Sequence, residues 1–303
     1  MISLEDLRFV ATLSRTGSLS AAARALDVTP PALSMRLKKL EAVLGTNLVV
    51  RSSRAMRFTP EGEQLVREAL SILNRIEGLA DSLHGGSLAG PLRVVAPFGF
   101  GRVHVAPAIA AFIGDHPEVR ATLDLSETPW NRNIDADVVI HIGAVRDSSW
   151  VAHLLARNAR WLCASPDYLR RRGVPMHPRD LIDHCCLSVR ENDEDVTLWR
   201  YKNRAASSRR TEAVRIAPVV TSNNGEVVRD WAMAGLGIAL RSEWDVAPWM
   251  KTGQLRQLLT DYEFEAADIL ALVPTRRGAS ARVSRFVEAL KSRFQPRPPW
   301  RGK

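Results

Sequence analysis

The chain has 303 residues, of which 46% are hydrophobic, and a formal net charge of +9; its isoelectric point is near 10.1. This length can bury two or three separate cores, and the charge favours a polyanionic partner. Apolar runs such as residues 231–240 fall short of the ~20 residues that span a bilayer, and acidic Glu5 and Asp6 argue against a signal peptide. Three cysteines, two of them adjacent, fit a reducing cytoplasm. We therefore expect a cytoplasmic protein with no membrane partner, metal or cofactor.

The first predicted elements are a short helix and, after a tight turn, a second helix that runs to about Leu44. In residues 18–26 the apolar side chains repeat at helical spacing. Thr29 is suited to cap a second helix, which tolerates Pro30 and Pro31 in its first turn. That helix has one apolar stripe, formed by Leu33, Leu37, Leu40 and Leu44, and an opposite face formed by Pro31, Ser34, Met35, Lys38 and Lys39. The pattern predicts a helix-turn-helix.

A short hairpin is predicted next, with strands in residues 48–50 and 51–58. The second strand carries Arg51, Arg54 and Arg57, which suit contacts with phosphate groups. We predict major-groove contacts from Pro31, Ser34, Met35 and Lys38, and phosphate contacts from Arg51 and Arg54. The alternative is a three-helix packing module whose lysines only face solvent.

A long helix is predicted to start at residues 60–62. Its apolar positions alternate in steps of four and three, at Leu65, Ala69, Ile72, Ile76, Leu79 and Leu83. This heptad seam favours pairing with a second copy of the helix. The alternative is a helix packed on its own domain.

From residue 92 short apolar runs alternate with helical segments, which predicts a parallel sheet with helices on both faces. The predicted strands are 92–96, 120–125, 137–142, 160–164, 186–189, 197–201, 214–220, 237–241 and 270–273, and the predicted helices are 102–113, 168–172, 226–234 and 281–294. About 200 residues suit two linked lobes of about 100 each. We expect the chain to cross between them near residues 163–165 and 264–270.

Motifs at both ends of the chain complete this picture. They are Gly17-Ser18-Leu19-Ser20-Ala21-Ala22-Ala23, Thr29-Pro30-Pro31-Ala32-Leu33-Ser34, Leu40-Glu41, Leu44-Gly45 and Thr59-Pro60-Glu61-Gly62, then residues 96–102, 163–169, 223–226 and 234–239. Together they resemble the LysR-type transcriptional regulators over residues 3–294. The resemblance implies a DNA-binding winged helix-turn-helix, a dimerising linker helix, and an effector domain similar to periplasmic solute-binding proteins.

The resemblance also implies DNA-binding positions at Ser18, Thr29 and Pro30. Pro30 and Met35 stand where the family often has Gln and Arg. Met35 suits contact with a thymine methyl group, and Pro30 suits packing on the sugar or backbone.

The fold class we predict is α/β with an N-terminal all-α winged helix-turn-helix and a bilobed, periplasmic-binding-protein-like effector domain. The boundaries are 1–60 for the DNA-binding domain, 61–90 for the linker helix and hinge, and 91–295 for the effector domain. Lobe I comprises 91–164 and 268–295, and lobe II comprises 165–267. The tail, 296–303, is expected to be disordered.

Ligands of open α/β lobes bind beyond the carboxyl ends of strands, where helix N-termini favour anions. Residues 98–102 and 221–226 are predicted to occupy such places in the two lobes. The candidate effector-binding residues are Phe98, Gly99, Phe100, His141, Asn223 and Asn224. Gly99 and His141 stand where the family often has Ser and Arg, and the two Phe rings leave room for an aromatic body. Both segments have an alternative interpretation as ordinary capped loops.

No nucleophile elbow, P-loop or metal-spaced His/Glu cluster occurs in the sequence, so we predict no enzyme activity. We predict a regulator that binds an inverted-repeat operator as a homodimer, homotetramer or larger assembly. Its effector would be an organic acid or an aromatic molecule, with RNA polymerase as a candidate partner. The alternative is a cytoplasmic α/β protein that binds or modifies small molecules, with an N-terminal assembly module.

Overall fold

The structure is a computed structural model that describes residues 1–51, 56–83, 88–127, 136–145, 150–190, 196–205, 210–274 and 280–302. The chain forms two compact units. One comprises Met1–Gly90 and Pro274–Arg282, and the other comprises Pro91–Val273 and Val283–Lys303.

The first unit holds the predicted helix-turn-helix and wing. Its elements are α1 (Leu4–Thr16), α2 (Leu19–Ala25), α3 (Pro30–Leu44), β1 (Val49–Arg51), β2 (Met56–Phe58) and α4 (Pro60–Leu83). The predicted stripe of α3 is buried at Leu33, Leu37 and Leu40, with Leu44 partly buried against the same core. Helix α1, which the sequence analysis did not delimit, adds Phe9 and Leu13 to that core.

Helix α4 starts at the base of the wing and packs first on its own unit. The Thr59 hydroxyl accepts the Gly62 N–H (3.0 Å) and donates to the Asn47 carbonyl (2.7 Å). A Cβ on Gly62 would lie 2.0 Å from the Leu48 carbonyl oxygen, so this close approach requires glycine. Ala69, the second seam position, is fully buried, and α1 packs against α4. The first turns of α4 therefore pack into the core of their own unit. At these turns the structure agrees with the alternative prediction, a helix packed on its own domain.

The later seam positions have different surroundings. Ile72 and Ile76 are 41% and 43% exposed, whereas the side chains of Leu79 and Leu83 lie outside the described residues. Ile72 and Ile76 therefore form an exposed apolar pair on the surface of α4.

The second unit is built on two five-stranded mixed sheets. One sheet lies in lobe I, and the other lies in lobe II beside a three-stranded sheet. The lobe I elements are β3 (Gly90–Ala96), α5 (Phe98–Phe100), a π-helical turn (Gly101–Val105), α6 (Ala106–Asp115), β4 (Val119–Leu125), β5 (Val138–Ile142), β6 (Trp150–Ala156), β15 (Ile269–Pro274) and α10 (Ala281–Phe294).

The chain crosses into lobe II and back. The lobe II elements are β7 (Arg160–Ala164), α7 (Pro166–Arg172), a 3-10 helix (Pro178–Asp183), β8 (Cys186–Val189), β9 (Leu198–Asn203), β10 (Glu212–Arg215), β11 (Pro218–Ser222), α8 (Gly225–Met233), β12 (Ile238–Ser242), α9 (Glu243–Lys251), β13 (Arg256–Leu258) and β14 (Tyr262–Phe264). A final 3-10 turn covers Pro299–Arg301. The strand order is β4-β3-β5-β15-β6 in lobe I and β11-β8-β12-β7-β13 in lobe II, and the three-stranded sheet has the order β10-β9-β14.

The prediction of a parallel sheet holds for only some of the strand pairs, and both sheets are mixed. Strands β3 and β5 are parallel, but β15 runs antiparallel to β5, and β7 runs antiparallel to β12 and β13. The reason is the double crossing. Ile269, the first residue of β15, pairs with Ile142, the last residue of β5. A strand that enters a sheet at the end where its neighbour finishes must run the opposite way.

The first crossing lies at residues 157–159, upstream of the predicted position, because β7 already belongs to the lobe II sheet. Buried Asn158 ties the two crossings together: its Nδ2 donates to the Ala267 carbonyl (2.8 Å) and to Ser242 Oγ (3.1 Å). The two connections are therefore joined at one hinge.

Residues 296–302 of the tail are ordered, which contradicts the expectation of disorder there. Trp300 is buried, and Arg301 forms two hydrogen bonds with Glu243. The tail is rich in proline and arginine, and this low overall hydrophobicity favoured the prediction of disorder. A single large aromatic side chain, Trp300, is nevertheless buried and holds the segment in place.

Candidate DNA-binding surface and effector pocket

The outer face of α3 is open to solvent, as predicted. Met35 is 71% exposed, Pro31, Lys38 and Lys39 are exposed, and Ser34 is partly exposed. A helix face with an apolar side chain beside lysines can contact base edges and phosphates together.

The start of α3 differs in one detail from the prediction. Thr29 occupies the cap position, but its side chain makes no capping hydrogen bond. A cap side chain accepts from the second or third helical N–H, and Pro31, at the second position, has none. Thr29 and Pro30 are both exposed at this helix end.

Ser18 has a structural contact. Its hydroxyl accepts the Ala21 N–H at 3.2 Å and thereby caps α2. The residue is exposed, so it can both cap the helix and meet a DNA backbone. The side chain of Arg51 and all of Arg54 lie outside the described residues.

Arg36 lies on α3 but contacts α1. Its Nε donates to Asp6 (2.9 Å), its Nη2 lies 3.4 Å from Glu5, and its guanidinium lies 5.9 Å from the ring centre of Phe9. Burial opposes the charge of Asp6, but hydrogen bonds from Ser3 and Arg36 outweigh this effect and lower the pKa of Asp6. Arg36 therefore stabilises the unit.

A pocket lies between the two lobes of the second unit, with an empty volume of about 650 Å³ including its open mouth. Three predicted effector-binding residues line it, namely Gly99, Phe100 and His141. Phe98, Asn223 and Asn224 do not line it. The other lining residues are Val95, Pro97, Ser126, Glu127, Val139, Ile140 and Ile142 from lobe I, and Gly225, Glu226, Arg241, Ser242 and Trp244 from lobe II.

Both predicted helix starts have backbone donors that the protein itself already uses. The Asn224 side-chain oxygen accepts the N–H groups of Glu226 (2.8 Å) and Val227 (3.3 Å). In lobe I, Glu127 accepts the Phe98 N–H at 3.0 Å. The helix N–H groups that were expected to hold an anion are therefore occupied at these positions, and Asn224 has a capping role.

Arg241 is the buried cation of the pocket, and the sequence analysis missed it. The residue is 5% exposed, and its Nε and Nη2 lie 3.0 and 2.9 Å from one oxygen of buried Asp245. A Cβ on Gly225 would lie 2.0 Å from the guanidinium, so only glycine allows Arg241 this place under the start of α8. Its position at the end of a predicted strand, where α/β ligands bind, was the available signal.

Arg229 adds a second cation to this group. Its Nη1 lies 2.6 Å from the other oxygen of Asp245 and 3.8 Å from Glu226. Burial opposes the charge of Arg229, but Asp245 and Asp230 outweigh this effect and raise its pKa. The carboxylate of Asp245 thus holds two arginines in fixed positions.

The two lobes contact each other beside the pocket, at Glu226. Arg102 of lobe I forms an ion pair with Glu226 of lobe II. A Cβ on Gly99 would lie 3.0 Å from the side chains of both Glu226 and Trp244. Gly99 therefore allows close approach of the lobes, in addition to lining the pocket.

His141 is buried in the pocket wall. Its Nε2 lies 3.2 Å from the Ala144 carbonyl oxygen, an acceptor that requires the ring nitrogen to donate. The ring is therefore oriented by the backbone that follows β5.

Within the described parts of the chain, no group of three or more His, Cys, Asp or Glu side chains is arranged to hold a metal ion. A search of the same residues finds no helix with the length and hydropathy needed to cross a membrane.

Comparison with known proteins identifies the two units. Residues 4–63 match the model of the bacterial regulatory helix-turn-helix protein, lysR family, and residues 85–295 match the LysR substrate binding domain. The chain is 35% identical to the HTH-type transcriptional activator TtdR of Escherichia coli K12 over 92% of this chain and 90% of TtdR. It is 34% identical to the HTH-type transcriptional regulator DmlR of the same strain over 98% of this chain and 96% of DmlR.

A solved structure agrees with these matches. CrgA, a LysR-type transcriptional regulator from Neisseria meningitidis, superposes with a TM-score of 0.58 and 27% identity, over 96% of this chain and 99% of CrgA. The predicted fold class is confirmed, and the chain belongs to the LysR family of DNA-binding transcriptional regulators.

Proposed function

We propose that this regulator binds an inverted-repeat operator as a homodimer or homotetramer in the cytoplasm, and that a small carboxylate between its lobes alters operator binding. Pro31, Ser34, Met35 and Lys38 would meet base edges, and Arg51 and Arg54 would meet phosphates. Ser18, Thr29 and Pro30 would lie at the DNA backbone. RNA polymerase is the candidate partner at the promoter, and no catalytic step is involved.

The observation that carries the effector class is Arg241. A guanidinium has N–H donors in a planar arrangement that matches a carboxylate, and in Arg241 the Nε donor and one Nη2 donor are already bonded to Asp245. Asp245 holds this guanidinium beneath Gly225, so little entropy is lost when a ligand binds to it. The exposed cation of Arg102 pairs with Glu226, which lines the same pocket.

The pocket walls suggest the rest of the ligand. Phe100 and Trp244 supply apolar surface, while Ser126, Glu127 and His141 supply polar groups. Because the 650 Å³ here includes open solvent, we infer a small acid rather than an extended aromatic molecule.

Thermal-shift measurements on the full chain test this proposal. The probes are small mono- and dicarboxylates, each compared with its uncharged amide. We expect at least one carboxylate to raise the melting temperature while its amide does not, and we expect Arg241→Lys to weaken its binding about tenfold, or about 1.4 kcal/mol. Lysine keeps the charge but loses the forked geometry.

Arg256→Lys is the matched control, because Arg256 is exposed on β13 and does not line the pocket. Equal stabilisation by acid and amide, or unchanged affinity in Arg241→Lys, would contradict the proposal.

A further inference from the structure

The C-terminal segment 295–302 extends from lobe I to lobe II. It follows α10, which packs in lobe I through Phe286 against Phe112 of α6 (ring centroids 5.2 Å apart). Gln295 Nε2 then donates to the Leu154 carbonyl of β6 at 2.9 Å. At the other end, Arg301 contacts Glu243, the first residue of α9 in lobe II. One short segment thus contacts both lobes.

The middle of the segment contributes an aromatic side chain to a cluster behind the pocket. The Trp300 ring lies 5.1 Å from His104, 5.8 Å from Phe294 and 6.1 Å from Phe100, measured between ring centroids. Phe100 in turn lies 5.3 Å from Trp244, edge to face. Phe100 and Trp244 line the pocket from opposite lobes. Trp300 therefore packs directly behind Phe100 in one pocket wall. The Phe100 ring lies between Trp300 and Trp244, which belongs to the opposite wall.

The end of the segment is fixed by charge. Arg301 Nε and Nη2 lie 2.8 and 2.7 Å from the two oxygens of Glu243, whose side chain is only 5% exposed. Hydrogen bonding to Glu243 raises the pKa of Arg301. If Glu243 lost this partner, its buried carboxylate would be left with an uncompensated charge. The ion pair between Arg301 and Glu243 is therefore favoured over separation of the two residues.

We propose that residues 295–302 form an interlobe strap, and that Trp300 and Arg301 are positioning residues that set effector affinity by holding Phe100 and Trp244 in place. The effector part of this inference rests on the proposed function. The strap joins the lobes on the side of the hinge formed by Asn158, since Arg301 Nη2 also lies 3.5 Å from the Arg157 carbonyl oxygen. Release of the strap frees the start of α9 and the turn that carries Phe100.

Hydrogen–deuterium exchange on the ligand-free full chain tests the strap itself. The variant is Arg301→Gln, and Arg256→Gln on β13 is the matched control. We expect faster exchange, by about fivefold or more, in peptides that cover residues 98–105 and 243–251. Peptides from β9 and from α1–α3 should stay unchanged, as should all peptides of the control. No change at 98–105 and 243–251, or an equal increase throughout the chain, would overturn the proposal.

A second variant covers the case in which Arg301→Gln does not fold. Arg301→Lys keeps the charge beside Glu243 but gives up the two-point contact. We expect a smaller increase in exchange at the same two peptides, and exchange identical to wild type in this variant would count against the strap.

Effector affinity is then measured with the carboxylate that raises the melting temperature of the wild type most. We expect Arg301→Gln to raise the dissociation constant of this carboxylate about tenfold, although residue 301 does not line the pocket. Unchanged affinity would overturn the positioning role. If no carboxylate binds the wild type, the proposed function fails, and the exchange measurement alone still decides whether the strap exists.

Discussion

Two arginines of the N-terminal unit are expected to act differently, and this difference tests the wing. We predict that Arg54→Ala weakens binding to all DNA sequences and lowers the slope of log K against log salt by about 0.9, because one phosphate contact is lost. Arg36→Ala should leave that slope unchanged, since Arg36 pairs with Asp6 and Glu5, and should lower the free energy of unfolding by at most about 1 kcal/mol. Fluorescence anisotropy of DNA binding across a salt series measures the slope for both variants, and urea unfolding measures the stability of Arg36→Ala. An unchanged slope for Arg54→Ala would show that the wing does not contact phosphate.

Gly99 gives the sharpest test of the pocket. A Cβ at this position would already lie 3.0 Å from both Glu226 and Trp244, so an indole there must displace them and thereby fill the cleft or hold the lobes apart. We predict that Gly99→Trp abolishes the effect of carboxylates on DNA binding, while DNA affinity without ligand stays within about threefold, less than 1 kcal/mol. Titrations of DNA binding with and without ligand provide the comparison. A variant that still responds would move the effector site out of the cleft.

His104 predicts a pH effect on stability. Burial, with the nearby charge of Arg293, lowers the pKa of His104 from 6.5 to about 4, and its Nε2 has no hydrogen-bond partner within the described residues. The unfolded chain therefore binds a proton between these values that the folded chain does not. Stability from this residue is complete above pH 6.5 and declines as the pH falls toward 4, by about 3 kcal/mol in all.

The matched variant is His104→Phe, which keeps a ring among Phe100, Trp244 and Phe294. We expect urea unfolding of this variant to show a weaker loss of stability between about pH 6.5 and pH 4. His153 and His184, whose pKa values are also lowered, mainly by burial, titrate in both proteins and cancel in the comparison. Identical pH dependence would exclude His104 as a source.

Among single residues, the sequence predicted positions better than roles. Gly99, Phe100 and His141 line the pocket as predicted, because strand ends and helix starts can be read from apolar runs. Asn224 is a cap, and Arg241 is a lining cation. The capping role is local and agrees with the alternative interpretation of this segment as a capped loop. The place of Arg241 beneath Gly225 depends on side chains that pack together from distant segments, and such contacts leave no local pattern.

At the scale of elements, the first turns of α4 and its later turns have different surroundings. Ala69 is buried in its own unit, whereas Ile72 and Ile76 remain exposed. We predict that Ile76→Glu disrupts the dimer, because burial of an isoleucine contributes about 1.5–3 kcal/mol per copy and a charge there opposes pairing. Light scattering and operator titration measure the effect.

Gln64→Glu on the same helix is the control, since residue 64 is exposed and already polar. An unchanged mass and operator affinity in Ile76→Glu would remove this part of α4 from the interface.

Elements with a strong local period were predictable, and those set by tertiary contacts were not. The run 214–220 was predicted as one strand, but it divides into β10 and β11, which belong to different sheets. Pro218, the first residue of β11, cannot donate to a strand ladder and so marks the break. Helix α9 was missed because Pro248 lies inside it, and the period of apolar residues is interrupted there.

At the scale of the whole molecule, one chain contains both a helix-turn-helix unit and a substrate-binding unit. A ligand can alter DNA binding only through a difference in its affinity for two states of the protein, and such coupling is usually about 1–3 kcal/mol. The contacts between the lobes, Arg102 with Glu226 and Arg301 with Glu243, are the interactions that would differ between an open and a closed state.

The central claim is that a small carboxylate changes the affinity of this protein for a specific DNA site. It is tested most directly by selecting genomic fragments with the purified full chain and then titrating the selected site with and without the stabilising carboxylate. We predict an imperfect inverted repeat with half-sites about one helical turn or its multiples apart, and a change in affinity of about 5- to 150-fold on adding the ligand. Selected fragments without a shared motif, or equal affinity with and without a carboxylate that binds the protein, would contradict the account.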